Sequence, residues 1–310
     1  MNPGLPFIYK EEKVIFVHDS FERKRNLAGY LFVLPSLTVF LVFVFAPLIV
    51  SIVFSVFKFD MMFNNFTFAR LENYSKMFLD ERFWNSLHNT LYYTAATVVV
   101  QVALALLVAI AISKKLAINS VFKGVFFIPS ICSMTIISII WSFLLNKDIG
   151  VVSYYLSLIG INVIDWLNDP VWAMPAVIIV SIWRNFGLSM VILLAGIDGI
   201  PDVYYEASEI DGAGKIKQFF KITLPMLIPT VGFVVITTMI GSFQVFDQIF
   251  VMTRGGPLFK TETVVQYIYH VGFESFDLPV ACAIAEVLLV IILAVTALMF
   301  KVQRNMERNI

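Results

Sequence analysis

Long apolar runs alternate with short polar segments along the whole chain, a pattern that favours membrane-spanning helices over a soluble core. A helix needs about 20 apolar residues to cross a bilayer, and six runs reach that length. They cover residues 27–57, 87–112, 124–145, 171–197, 226–253 and 278–300. The first three runs carry no charge, and the others carry only Arg184, Asp247 and Glu286, respectively. The pattern predicts an all-α membrane protein with six transmembrane helices.

Little of the chain lies outside this bundle. Residues 1–26 and 301–310 form polar ends, residues 27–300 form the six-span domain, and the stretches between spans are too short for a core of their own. The first apolar run is too long for a cleavable signal and is interpreted as an uncleaved span. Residues 149–167 mix apolar and polar side chains and predict a short helix at the membrane interface.

Basic residues are unevenly divided between the two sides of the predicted bundle. With the N-terminus inside, the inner segments hold twice as many Lys and Arg residues as the outer segments. Because basic loops stay on the cytoplasmic side, this bias predicts that both termini and the loop at about 200–225 are cytoplasmic.

Composition narrows the functional classes. The chain is 59% hydrophobic and 14% charged, outside the range of soluble domains, and its zero net charge argues against a nucleic-acid partner. Cys132 and Cys282 both lie in apolar runs and are interpreted as small buried hydrophobes. His18, His88 and His270 show no repeated spacing, so neither a metal site nor a cofactor is predicted.

The stretch YYEASEIDGAGKIKQFFKITLP, residues 204–225, is unusually polar for this chain. Its GAGK tetrapeptide suggests a phosphate-binding loop, but Lys215 is followed by Ile216 rather than the Ser or Thr that such a loop needs for Mg²⁺. The pattern instead predicts two short amphipathic helices, with Gly212 and Gly214 allowing the chain to reverse between them. The second helix is expected to end at Leu224-Pro225, before the next span.

From these residues alone, two interpretations of the polar stretch stay open. It is either an element that docks onto another protein or an amphipathic loop that lies on the bilayer surface, where its lysines would face the headgroups.

The spacing of this stretch resembles a known signature. Glu206-Ala207-Ser208, three residues, Gly212, nine residues and then residues 222–225 (ITLP) are similar to the pattern E-A-A-x3-G-x9-I-x-L-P. That pattern belongs to membrane subunits of binding-protein-dependent ABC importers, and Ser208 in place of the second Ala is the departure. Residues 71–74, 182–184 and 251–257 resemble the sugar-importer branch, whereas residues 276–285 match it least.

The resemblance implies a type I ABC importer permease bundle whose coupling helix docks on a separate ATPase subunit. The expected partners are two ATP-binding subunits, a second permease subunit in a heterodimer, an extracellular or periplasmic solute-binding protein and a carbohydrate substrate. ATP hydrolysis would occur on a partner, so no catalytic residue is expected. The residues assigned to ATPase coupling are Glu206, Ala207, Ser208, Asp211, Gly212, Ile222, Leu224 and Pro225.

A substrate pathway is expected between the fourth and fifth spans, where aromatic, amide and hydroxyl groups suit a neutral oligosaccharide. The candidates are Trp183, Asn185, Thr238, Ser242, Gln244 and Asp247. The alternative is that these polar groups only bond neighbouring helices. Arg184 and Asp247 are expected to pair across the bundle, and Glu286 to seal a packing interface.

Three other classes of membrane protein fit the sequence less well. A proton-coupled secondary transporter using Asp247 and Glu286 would predict inverted repeats with broken helices, and none is evident in the sequence. An intramembrane enzyme would need clustered catalytic side chains. A passive channel would not explain the spacing of residues 206–225.

Overall fold

The structure is a computed structural model that describes Asn26 and residues 29–60, 62, 64–113, 118–160, 162 and 164–308. It divides into two compact units, one ending at Val53 and the other beginning at Phe54. Apart from Asn26, the predicted N-terminal segment 1–26 lies outside the described residues, as do residues 309–310 of the predicted tail.

Helices make up most of the described chain. They are α1 (Gly29–Ser55), α2 (Glu72–Leu79), α3 (Glu81–Ile112), α4 (Ile118–Ile131), α5 (Met134–Leu144), α6 (Val151–Leu158), α7 (Ala173–Asp198), α8 (Val203–Ile210), α9 (Lys215–Phe243), α10 (Asp247–Met252), α11 (Val264–Tyr269) and α12 (Leu278–Glu307). Two short strands, β1 (Phe57–Lys58) and β2 (Thr67–Phe68), pair as an antiparallel ribbon. Of the predicted interfacial segment 149–167, α6 is the helical part.

Five of these helices, α1, α3, α7, α9 and α12, are long and apolar enough to cross a membrane. A sixth crossing is possible only if α4 and α5 count as one span, and the two are bent by 98° at the break between them. The apolar run at 124–145, predicted as the third span, is therefore not one continuous helix. Pro129 cannot donate a backbone hydrogen bond, and Ser133 leaves the helical conformation with ψ at 132°, so the apolar run is helical on both sides of a sharp bend.

The prediction that a helix ends at Leu224-Pro225 is also wrong, because α9 continues through Pro225 to Phe243. A proline ring clashes with the carbonyl four residues earlier. The preceding turn, Phe219–Thr223, is wound as a wider π-helix, which makes room for the ring without ending the helix. The second half of the polar stretch is therefore continuous with a membrane span.

Small residues allow the central helices to pack closely. Helix α3 contributes Ala105 and Ala109, both fully buried, to a cluster with Met190 of α7 and Val234 of α9. At Gly187 of α7, a Cβ atom would lie 2.0 Å from the backbone oxygen of Phe126 in α4. This backbone-to-backbone contact holds the first half of the broken pair against α7.

The loop at residues 253–263, between α10 and α11, is tightly bonded. Thr253 and Thr261 share a hydroxyl hydrogen bond of 2.7 Å, and Gly255 takes the left-handed conformation, with φ at +84°. Asn89 of α3 donates its amide to the backbone oxygens of Phe259 and Glu262, at 2.9 Å each. These bonds fix the loop to the first turns of α3.

Candidate functional site

The predicted coupling stretch folds as a helix, a tight turn and a second helix. Helix α8 ends at Ile210, and the backbone N–H groups of Gly212 and Ala213 donate to the carbonyls of Glu209 and Ser208, at 3.0 and 2.9 Å. Gly212 has φ at +73°, a conformation that L side chains rarely adopt. The reversal expected at the glycines is therefore present, with Gly212 supplying the left-handed residue.

Two side-chain contacts hold α8 against α9. The Ser208 hydroxyl donates to the Tyr205 carbonyl at 2.8 Å and accepts from the Gln218 amide at 3.0 Å. The hydroxyls of Tyr205 and Thr223 are 2.9 Å apart. Gln218 is buried, so these bonds are shielded from water. Sequence reasoning missed Gln218, although the Ser at position 208 was a signal that this helix has a polar partner.

The outer face of this turn is exposed. Glu206, Ala207 and Asp211 are exposed, and the Glu206 carboxylate has no hydrogen bond or ion pair to the described residues. Ile210 is 88% exposed and Ile216 is 78% exposed. Ile222, Leu224 and Pro225 are half-buried in the first turns of α9. An unpaired carboxylate and two exposed isoleucines thus lie on the outer face of a turn whose inner side is held by hydrogen bonds.

A cavity of about 400 Å³ opens among α3, α7, α9 and the residues that lead into α10. Five of the six predicted pathway residues line it: Asn185, Thr238, Ser242, Gln244 and Asp247. Trp183 is not part of the lining. It is 41% exposed, and its ring packs edge-on against Trp141, with the ring centroids 5.5 Å apart.

Helix α3 supplies a polar face that sequence reasoning did not include. Tyr93, Thr97 and Gln101 line the cavity, and their four-residue spacing places them on one face of the helix. That spacing, within an otherwise apolar run, was the available signal. The Gln101 amide donates to the Ser189 hydroxyl at 3.0 Å, which ties α3 to α7.

Gln248 forms a second buried bridge beside the cavity. Its amide donates to the Tyr93 hydroxyl at 2.8 Å and to the Ser181 hydroxyl at 3.0 Å. All three residues are buried, so their polar groups are paired with one another in place of water. Some of the polar groups around this cavity therefore bond neighbouring helices, whereas others face the cavity.

The expected ion pair between Arg184 and Asp247 does not form. The Arg184 guanidinium donates from Nη1 to Asn185 Oδ1 at 2.7 Å and from Nη2 to the Cys132 carbonyl at 3.1 Å. That carbonyl lies at the break between α4 and α5, where the helical hydrogen-bond ladder is interrupted. Arg184 is thus used to satisfy the break, a role that becomes visible only when the break is known.

The fold and the polar cavity enclosed by long apolar helices define a multi-pass membrane protein of the transporter type. Comparison with known proteins identifies which type. The family described as "Binding-protein-dependent transport system inner membrane component" matches residues 101–310, and the chain belongs to this family.

Similar proteins match this chain over nearly its full length. The probable ABC transporter permease protein YurN of Bacillus subtilis (strain 168) is 36% identical, with 90% of this chain and 96% of that protein covered. The lactose transport system permease protein LacF of Rhizobium radiobacter is 34% identical, covering 91% and 94%. A bacterial ABC transporter involved in the import of the acidic polysaccharide alginate shares the fold, with a TM-score of 0.81 at 23% identity over 93% of this chain and 99% of that one.

Two predictions are confirmed by these findings: the type I importer permease fold, and the resemblance to membrane subunits of sugar-importing ABC systems. The individual coupling and pathway residues stay predictions.

Proposed function

We propose that this chain is the membrane-spanning subunit of an ATP-driven importer that takes a sugar or oligosaccharide from an extracellular binding protein. It is coupled to separate ATPase subunits through residues 206–225, and those partners hydrolyse the ATP. The observation that carries this proposal is the exposed face of the coupling turn, with an unpaired Glu206 beside bare Ile210 and Ile216. An apolar patch around a free charge suits a protein groove that carries a basic residue.

The continuity of α9 supports a mechanical link. The helix begins at Lys215, beside the coupling turn, and its far end contributes Thr238 and Ser242 to the cavity. At 1.5 Å per residue, the 29 residues of α9 span roughly 40 Å. A displacement of the docked turn is therefore passed to the cavity wall through one continuous helix, which does not break at Pro225.

The proposal includes the remaining partners and the orientation. A second permease subunit completes the pathway as a heterodimer, and a solute-binding protein delivers the substrate at the opposite face. The coupling turn and both termini lie in the cytoplasm of a bacterial or archaeal cell, in accord with the distribution of Lys and Arg.

The cavity is proposed as part of the substrate pathway. Asn185, Thr238, Ser242 and Gln244 offer amide and hydroxyl groups to a polyhydroxylated ligand. The lactose permease subunit and the alginate importer among the similar proteins support a carbohydrate, one neutral and the other acidic.

The test is co-purification of the tagged chain from its native membranes in a mild detergent. An ATPase and a second multi-span protein are expected to elute with the wild type. The Glu206→Lys variant is expected to retain the second permease. The yield of co-purified ATPase should fall about tenfold, because the reversed charge is buried against a basic groove.

Asp148→Lys is the matched control, since Asp148 is also an exposed carboxylate but lies in the loop before α6. It should leave the yield of ATPase unchanged. Elution of the chain alone, or equal ATPase yield with Glu206→Lys and wild type, would contradict the proposed coupling.

A further inference from the structure

The last turns of α12 meet the middle of α9 at a notch formed by Gly232. A Cβ atom at Gly232 would lie 2.6 Å from Oε1 and 2.8 Å from Nε2 of Gln303, which is tighter than van der Waals contact. The Gln303 amide therefore occupies the space that a side chain at position 232 would take. The two helices are interlocked at this point by a side chain of one and a missing side chain of the other.

Hydrogen bonds on both helices hold the Gln303 amide in the Gly232 notch. Its Nε2 donates to the Pro229 carbonyl of α9 at 3.3 Å and to Glu307 Oε1, one turn later in α12, at 2.9 Å. Both partners are acceptors, so the amide must direct its nitrogen, and not its oxygen, at them. The Gln303 side chain thus has a fixed direction as well as a fixed position.

Elsewhere α9 and α12 meet through apolar side chains. Met239 and Phe243 of α9 share a core cluster with Ile284 and Leu288 of α12. Apolar contacts are non-directional, so such a face allows packed helices to slide along each other by a small shear. A polar side chain in a notch resists that sliding, because the amide would have to leave both the notch and the carbonyl that it bonds.

The opposite end of α12 is fastened to α2. Asp277 caps α12 by accepting from the backbone N–H of Val280 at 3.3 Å, and its second oxygen lies 3.5 Å from Lys76 Nζ of α2. Met77 of α2 is 1% exposed and lies in the same core cluster as Val280. At 1.5 Å per residue, the 30 residues of α12 span about 45 Å. Helix α12 therefore connects α9 with a second helix that is bound at its far end.

We infer that Gln303 is a positioning residue that locks α12 to α9, so that a displacement of the coupling turn is carried through α12 to α2. The chain joins α9 to α12 only through residues 244–277, which follow the end of one helix and precede the start of the other. At the end near Gln303, the share of α12 in any movement thus depends on side-chain contacts. Without the lock, part of the displacement of α9 is lost to shear between the apolar faces.

This inference rests on the proposed function and deepens it. The proposed docking of the ATPase explains how the coupling turn and α9 are moved. The lock at Gln303 adds the element that passes this movement on to α2, at the face where the solute-binding protein is proposed to deliver the substrate.

The test follows the response to nucleotide of the complete importer, purified with its ATPase and its second permease subunit. Amide hydrogen exchange is measured without nucleotide and after trapping with ATP and vanadate, in the coupling turn (residues 203–214) and in α2 (residues 72–79). In the wild type, trapping should change the exchange rate of both segments by about threefold. In Gln303→Ala, the coupling turn should keep its response, whereas α2 should change by less than about 1.5-fold.

A second variant removes the lock from the other helix. Gly232→Ala should fold, because the end of a flexible side chain can move aside, but its Cβ expels the Gln303 amide from the notch. It should abolish the response of α2 in the same way. Asn305→Ala is the matched control, since it truncates an exposed amide two residues from Gln303 and should leave both responses unchanged.

A response of α2 that persists in Gln303→Ala, or that is absent from the wild type while the coupling turn responds, would overturn the inference. Loss of both responses in Gln303→Ala would overturn it as well, since Gln303 would then support the coupling turn and not the transfer to α2. The proposed function fails by a different readout, namely a purified chain without an ATPase or a wild-type coupling turn that does not respond to nucleotide.

Discussion

Arg82 and Glu262 form a two-pronged ion pair across 180 positions of the chain, with Nε to Oε2 and Nη2 to Oε1 both at 2.7 Å. Glu262 is 2% exposed, and the Arg82 guanidinium lies 4.0 Å from the centre of the Phe259 ring. The pair fastens the first turn of α3 to the loop that precedes α11. Because a planar guanidinium matches both carboxylate oxygens, the contact fixes direction as well as distance.

Glu262→Gln should destabilise the protein, because it leaves the Arg82 charge partly buried without its counter-ion. Breaking a buried pair in this way costs about 3 kcal/mol, which should lower the temperature of half-unfolding in detergent by several degrees. Glu72→Gln is the control, since it removes the Lys58–Glu72 pair, whose side chains are 40% and 56% exposed. Equal losses for the two variants would show that burial does not determine the contribution of the first pair.

Gly187→Ala should disrupt the contact between α7 and α4. The added Cβ would overlap the Phe126 backbone oxygen, and a backbone atom cannot rotate away as a side chain can. Overpacking of this kind costs about 1–3 kcal/mol or more, so the yield of monodisperse protein should fall. Gly124→Ala, where nothing lies within 4 Å, should purify like the wild type. The contact is not tight if both variants behave alike.

Ser208→Ala should loosen the coupling turn without unfolding the span that follows it. The substitution removes the bonds to Tyr205 and Gln218. A hydrogen bond contributes about 1 kcal/mol, so amide hydrogen exchange in residues 203–214 should accelerate roughly fivefold. Ser157→Ala removes an exposed bond to Tyr154 within α6 but no bond to another helix, so exchange in that segment should change by less than about twofold. Unchanged exchange in Ser208→Ala would mean that Tyr205 and Thr223 suffice to hold the turn.

Gln248→Leu should destabilise the bundle by about 1–3 kcal/mol, because the buried Tyr93 hydroxyl loses the hydrogen bond from the Gln248 amide. The double variant with Tyr93→Phe should be more stable than Gln248→Leu alone, since both members of the pair are then apolar. Thermal unfolding of the wild type, the two single variants and the double variant provides the coupling energy between Tyr93 and Gln248. Strictly additive losses would show that the bridge is not an energetic unit.

Much of this architecture follows from local sequence. The spans at 87–112 and 278–300 were predicted because an uninterrupted apolar run cannot remain in water and has no other way to pair its backbone groups. The reversal after Ile210 was likewise predicted, because Gly212 adopts positive φ at little cost.

The cavity could be predicted only in part. Thr238 and Ser242 stood out as polar groups on one helix, whereas the contribution of Tyr93 and Gln101 required knowing that α3 faces α7 and α9. Trp183 illustrates the opposite error. Its position two residues before Asn185 suggested the same surroundings, but residues two apart on a helix point about 200° apart, toward nearly opposite faces.

The sequence by itself determined the helical membrane class, the positions of most spans and the family signature at residues 206–225, because each depends on residues that are close along the chain. Only the tertiary structure decided that the run at 124–145 bends, that α9 continues through Pro225 and that Arg184 bonds the Cys132 carbonyl rather than Asp247. These outcomes depend on which helix faces lie opposite each other. A guanidinium bonds whichever acceptor the fold leaves unsatisfied within its reach, and the sequence alone does not contain that distance.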